Sequence, residues 1–217
     1  IPADKIEVIH NSFDVDMYDD VIGANEYRYF ERMRHSGYKV VMNVGRITIQ
    51  KGLYNLVQAM RIVVDKRPKT MLLFVGSGEQ ELELLELAAE LGLSENVVFA
   101  GFQRGKRWRD MFAISDIFVM PSISEPFGLT ALEAAAFGVS TLVSRQSGVA
   151  EVLRSALRVD YWDIHELANQ ITTVLQNQDL QNQLTEDGLA EVTKMSWSHT
   201  ADKLFGVYNS HRVGAGV

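Results

Sequence analysis

The sequence predicts an α/β fold: an open parallel sheet of about six strands with helices on both faces, Rossmann-like. Three observations predict it. Short apolar runs alternate with amphipathic stretches along the whole chain. The runs are nearly continuous in Val, Ile, Leu and Phe, which is how strands buried on both faces read. Gly- or Ser-bearing turns separate each run from the stretch that follows, and strand–helix alternation of this kind forces right-handed crossovers that place helices on both faces.

The elements follow in order. Val8 and Ile9 sit in the first apolar run, and residues 38–44 form the second. Residues 70–75, 96–100, 116–120 and 140–144 form the remaining four. The acidic stretch 14–23 reads as a loop before a helix near 27–34. After Lys51, apolar residues fall at Leu53, Leu56, Val57, Met60, Val63 and Val64, the spacing of one helical face. Residues 79–91 form a second helix with a glutamate-rich wet face, stopped by Gly92. Residues 129–137 form a third, stopped by Gly138, and 164–175, 180–192 and 200–208 read as closing helices. Trp162 and Trp197 read as core anchors, and Arg104, Lys106, Arg107 and Arg109 as a solvated helix start.

Composition narrows the function classes. The 217 residues carry 21 Lys and Arg against 28 Asp and Glu, a formal charge of −7. The chain is 47% hydrophobic and 23% charged, ordinary values for a globular domain and enough to bury a core without staples. Disorder, collagen and small disulfide scaffolds are excluded. There is no cysteine, so disulfides, thiolate metal sites and cysteine nucleophiles are excluded as well, and a reducing, cytoplasmic location is expected. No apolar run reaches the ~18 residues of a membrane helix, and the acidic balance argues against nucleic acid as a partner. The five histidines show no metal-ligand spacing. The opening Ile1-Pro2-Ala3-Asp4-Lys5 reads as the interior of a longer protein.

In an open parallel sheet, ligands bind outside the carboxyl ends of the strands. Gly45-Arg46 and Lys51-Gly52 follow the second run, Gly76-Ser77-Gly78 the third, and Gly101 the fourth. The segment from Pro121 to Gly128 follows the fifth, and Ser144-Arg145-Gln146-Ser147-Gly148 the sixth. Any one of these glycines is explained by a βα turn. Together, with two cations, one acid and the N-termini of the following helices, they predict a phosphorylated ligand. Gly76-Ser77-Gly78-Glu79-Gln80-Glu81 lacks the third glycine of the dinucleotide fingerprint, and no P-loop is present.

Val44-Gly45-Arg46 with Lys51-Gly52, followed by the run from Glu125 through Leu129 to Glu133, resembles the group 1 (family 4-like) retaining glycosyltransferases of GT-B architecture. Glu125 and Glu133 have seven residues between them, the family's E-x7-E signature. The resemblance covers residues 1–217 as one nucleotide-sugar donor-binding domain, the C-terminal half of a GT-B fold. In it, 1–14 is a linker segment and 196–217 a closing helix and tail, and the N-terminal acceptor domain is absent from the chain. The sequence departs from the family pattern at Ser140, where Pro is common, at the single Gly148, and over 155–163.

The resemblance implies a role for each matching residue. Arg46 and Lys51 hold the donor diphosphate and stabilise the charge that grows on the departing phosphate, which lowers the barrier more than it strengthens ground-state binding. A charge pair about 4 Å apart at an effective dielectric of about 20 is worth about 4 kcal/mol, whereas acidic surface beyond about 8–10 Å is screened. Glu125 contacts the transferred sugar, and Glu133 holds the ribose diol, which an acceptor-only carboxylate suits. Phe127, Gly128, Leu129 and Thr130 offer backbone N–H groups, while Gly45, Gly76, Gly78, Phe99 and Gly101 border the nucleoside. No metal and no cofactor is expected, because the two cations do a metal's work. The implied activity is transfer of a hexose from a nucleoside-diphosphate sugar, weak in this half alone, with any peripheral membrane contact made through the absent half. A glycogen- or starch-synthase-like glucosyltransferase and a non-catalytic nucleotide-sugar-binding module are the alternatives. The residues themselves also allow plainer readings: solvated loop charges for Arg46 and Lys51, helix-dipole compensation for Glu133, and a place beside a helix N-cap for Glu125.

Overall fold

The computed structural model describes residues 1–14 and 28–212. Helix α1 (Arg28–His35) leads into β1 (Lys39–Val44), followed by β2 (Thr70–Val75), β3 (Val97–Phe99), β4 (Ile117–Met120), β5 (Ser140–Ser144) and β6 (Leu157–Val159). Between them run α2 (Leu53–Lys66), α3 (Glu81–Glu90), α4 (Gly105–Ala113) and α5 (Leu129–Ala136), and then α6 (Ile164–Gln176), α7 (Gln178–Val192) and α8 (Trp197–Arg212) close the order. The six strands form one sheet, ordered β3-β2-β1-β4-β5-β6, and every pairing is parallel. This is the open α/β sheet that the alternation of runs predicts.

The strands read as continuous apolar runs because both of their faces are covered. Val41, Leu72, Phe74, Ile117, Val119 and Leu142 point to one side, where α2, α3 and α6 pack. Val40, Met42, Val44, Met71, Leu73, Phe118 and Val143 point to the other, against α4 and α5. The period-two alternation divides each strand between two cores. All six residues of the predicted apolar face of α2 are buried.

Two sequence expectations change and one holds. The apolar pair Val8-Ile9 forms no strand; Val8 is 67% exposed, and without a partner ladder an apolar pair has no reason to extend into a sheet. The sixth strand is β6 instead, three residues long with Arg158 at its centre. An edge strand paired on one side needs no apolar run, so hydropathy misses it. The basic cluster does open a helix, α4, which runs nine residues and buries Met111 and Phe112. Trp162 and Trp197 are not core anchors, being 59% and 42% exposed. Of the predicted loop 14–23, residues 15–23 lie outside the described residues, as do Tyr27 at the start of the first helix and 213–217 of the closing segment.

The sheet reverses its winding between β1 and β4. These two strands share only two register pairs, Val41 with Ile117 and Met42 with Phe118. Their amino ends are bolted: Asp116 accepts from the Val40 N–H and from Lys39 Nζ, both at 2.8 Å. Past Met42 the ladder stops, and the buried Asn43 side chain takes over, its Nδ2 donating to the Val119 carbonyl at 2.8 Å. A crevice therefore opens at the carboxyl ends of β1 and β4, the topological switch point. No helix of the described residues is long and apolar enough to cross a membrane.

Replacing Asn43 by Ala leaves the buried Val119 carbonyl unpaired and should cost about 1–3 kcal/mol. Urea unfolding of Asn43→Ala against the parent checks this, and an unchanged midpoint would show that the amide is not the clamp.

Candidate functional site at the sheet switch point

The loops after β1, β2 and β3 nest backbone on backbone. Gly45 N donates to the Val75 carbonyl at 3.0 Å, and Gly76 N to the Gly101 carbonyl at 2.9 Å. Gly76 has φ +149°, and a Cβ there would stand 1.8 Å from the Gly45 carbonyl oxygen. That contact alone excludes every side chain. Beside the nest lies a cavity of ≈ 420 Å³, lined by Gly45, Arg46, Gly76, Ser77, Phe102, Gln103 and Trp108. Arg46 is exposed there, and no described acidic side chain pairs with it. The Arg104 guanidinium sits 4.9 Å from the centroid of the Phe102 ring.

The lips of the crevice are strapped together. Ile123 N and Ser124 N both donate to the Gln50 carbonyl, at 2.8 and 3.4 Å. This strap carries Lys51, at the end of the 3₁₀ turn Ile49–Lys51, across to Glu125, and Lys51 Nζ forms an ion pair with Glu125 Oε2. The lysine side chain is 21% exposed and the carboxylate 14%, so both are held mostly out of water and each is the other's counter-charge. Glu125 is fixed from the far side as well: its carbonyl accepts from Gly148 N at 3.0 Å, and it bridges Ser147 in parallel. Ser144 Oγ reaches both the Ser122 carbonyl and Ser147 Oγ at 2.7 Å, knitting the β4 and β5 loops.

Helix α5 points its N-terminus at the same margin. Its N-cap is Gly128 at φ +105°, where a Cβ would meet Met120 Cε at 2.6 Å. No side chain caps this end, so the first-turn N–H groups of Leu129 and Thr130 stay available to an anion. Glu133 is half-buried one turn further along α5.

Arg46, Gly45 and Gly76 thus share a cavity, Lys51 meets Glu125, and Gly128, Leu129 and Thr130 form a helix start on the same edge. Gly78 opens the turn before α3, exposed, and Gly101 acts through its carbonyl. Two predicted residues turn toward the core: the half-buried Phe99 packs its ring, tilted by 31°, 5.0 Å from that of Phe74, and Phe127 is 8% exposed in the core beneath α5. Phe127 is placed to meet a ligand through its backbone alone. Sequence reasoning missed Asn43, Gln50 and Gln103. Asn43 carried a signal, a lone amide inside the run Val40-Val41-Met42-Asn43-Val44; the other two carried none.

A doubly wound sheet with glycine-nested loops and cations at its switch point defines a nucleotide-binding class of α/β domain. Residues 28–190 match the model of the family described as glycosyl transferases group 1, and the chain belongs to that family. It is 30% identical over 214 residues to an uncharacterized glycosyltransferase, MJ1607, of Methanocaldococcus jannaschii, covering 95% of this chain and 54% of that protein. The chain spans about half the length of the curated relatives it matches. Among solved structures, HepE from Anabaena in complex with UDP and glucose matches with a TM-score of 0.82 at 21% identity, over 96% of this chain and 58% of that one. The C-terminal domain of the group 1 protein LpcC from Francisella tularensis matches with a TM-score of 0.71 at 19% identity, over 84% of this chain and 97% of that one. Both likenesses show the GT-B type of fold.

The Lys51–Glu125 pair should be energetically coupled. Lys51→Met and Glu125→Gln each leave a largely buried charge unpaired and should destabilise by about 1–3 kcal/mol, with the double variant costing less than the sum. A double-mutant cycle in urea checks this, and strict additivity would show that the pair contributes nothing.

Proposed function

We propose that this chain is the nucleotide-sugar-binding half of a retaining glycosyltransferase, which moves a hexose from a nucleoside-diphosphate sugar to an acceptor without a metal. The observation that carries the reading is the convergence at one crevice of Arg46, the Lys51–Glu125 pair and the uncapped start of α5. The UDP and glucose held by HepE, a structural neighbour, support a donor of this class.

In this reading the diphosphate lies between Arg46 and Lys51, with its oxygens on the N–H groups at the start of α5. Diphosphate binding draws Lys51 partly away from Glu125 and leaves that carboxylate facing the sugar, where it balances positive charge developing at the anomeric carbon. The bond from that carbon to the β-phosphate oxygen breaks, and one to the acceptor hydroxyl oxygen forms on the same face. The hydroxyl proton passes to the departing phosphate. Both cations act where negative charge develops, so they favour the transition state over the bound donor. Glu133 takes the ribose hydroxyls, and the cavity by Gly45, Gly76 and the Gly101 carbonyl takes the nucleoside. The reacting acceptor hydroxyl is presented by a second, N-terminal domain, whose wall would exclude water from the cleft. The present span therefore binds donor but transfers weakly. The cysteine-free composition fits a cytoplasmic setting.

Calorimetric titration of UDP, ADP and GDP tests the reading. At least one should bind the parent chain, and Arg46→Ala should weaken it about tenfold, the loss of about 1.4 kcal/mol. No binding by any of the three at millimolar concentration would overturn the reading. In the full-length enzyme, Glu125→Ala should lower kcat about a hundredfold or more with the donor affinity little changed, and parental turnover would remove Glu125 from the chemistry.

A further inference from the structure

The same sheet margin carries aromatic side chains that the donor reading does not use. Trp162 follows β6 and is 59% exposed, and Tyr54, in the first turn of α2, is 46% exposed. Trp162 is not loose. Tyr161 stands behind it edge to face, ring centroids 4.8 Å apart at 84°. The Tyr161 carbonyl accepts from Asn55 Nδ2 at 2.8 Å, which ties this turn to the residue beside Tyr54. Asp163 N donates to the Asp160 carbonyl at 2.9 Å, and the Asp163 carboxylate caps α6 by accepting from Glu166 N at 2.9 Å. A large apolar ring is thus held open to water on a rigid turn. Single surface hydrophobics need no explanation, but this one is fixed, paired with a second aromatic, and placed on the ligand side of the sheet.

The turn that carries the ring also carries polar groups. Asp160 accepts from Gln146 Nε2 at 2.9 Å, and Gln146 directly precedes Ser147, the residue bridged to Glu125. β6 lies two strands beyond β4 in the sheet, a lateral step of about 10 Å. The ring therefore lies beyond the reacting centre, on the same margin.

We propose that Trp162, on the turn that also holds the Asp160–Gln146 pair, is a saccharide subsite that receives a pyranose ring of the acceptor. A pyranose has a flat C–H face and a hydroxyl edge. The indole face covers the first, and the carboxylate and amide hydrogen-bond the second. The proposal rests on the donor-binding reading for its role in transfer, but saccharide binding stands apart from nucleotide binding. The acceptor is then itself a glycan or glycoside rather than an aglycone lacking sugar.

The test is NMR of the 217-residue chain, in which the Trp162 indole resonance, one of three, is identified as the one lost in Trp162→Phe and Trp162→Ala. Maltotriose, α-1,6-mannotriose and N,N′,N″-triacetylchitotriose are titrated separately, each alone and with UDP. At least one should shift the Trp162 indole resonance at millimolar concentration. Trp162→Ala should weaken that binding about tenfold, Trp162→Phe should keep part of it, and UDP affinity should be unchanged in both variants. If UDP binds but none of the three sugars moves the Trp162 resonance, the ring is a cover for polypeptide or plain surface, and the subsite is overturned while the donor reading stands. Sugar binding equal in Trp162→Ala and the parent also overturns it. If sugars shift Trp162 and UDP does not bind, the subsite stands and the donor reading falls.

Discussion

The site depends on two adjacent strands that begin together and then part. β1 and β4 are locked at their amino ends by Asp116, which serves both the Val40 N–H and Lys39, and they lose their ladder after two register pairs. Parallel strands wound in opposite directions from a shared centre leave this gap because no crossover helix covers it. The Asn43 amide, reaching the Val119 carbonyl, marks where pairing by backbone ends and the crevice begins. Without that divergence the Gly45–Arg46 loop and the Pro121–Gly128 loop would close over one another.

Given the gap, the loops need a way to stay in place. Two devices supply it. The glycine nest lets three successive strand ends stack within carbonyl contact, so Gly76 is demanded by the Gly45 oxygen alone. The turn reading and the ligand reading of that glycine are therefore not rivals. Close stacking of backbone brings the peptide groups to the margin where a phosphate can meet them. The second device is the Gln50 strap, which aligns Lys51 with Glu125 from opposite lips. A lysine and a glutamate mostly out of water would each be costly alone; together they keep opposite charges ready at one place.

The sequence made the sheet legible because both faces of its central strands are buried, and such strands announce themselves as apolar runs. It failed at the edges, where burial is partial. β6 is three residues with a charge in the middle, and the apolar Val8-Ile9 pair lies exposed without a ladder. Motif spacing placed Arg46, Lys51, Glu125 and the start of α5 on one margin correctly. It did not show that Lys51 and Glu125 touch, because 74 positions separate them and the contact is made by a backbone strap with no side-chain signature. Trp162 misled for a related reason. Tryptophan is highly buried on average, and only the turn geometry before α6 shows its ring facing water.

One contact far from the crevice has mechanical meaning. The carboxylate of Asp14 accepts from Trp197 N at 3.0 Å, joining the opening segment to the start of α8 across nearly the whole chain. The polypeptide between them is therefore a closed ring, fastened by a clasp. Tension applied at the two ends is shared between that clasp, the His10–Glu151 pair and the buried Phe13 before it reaches the strands.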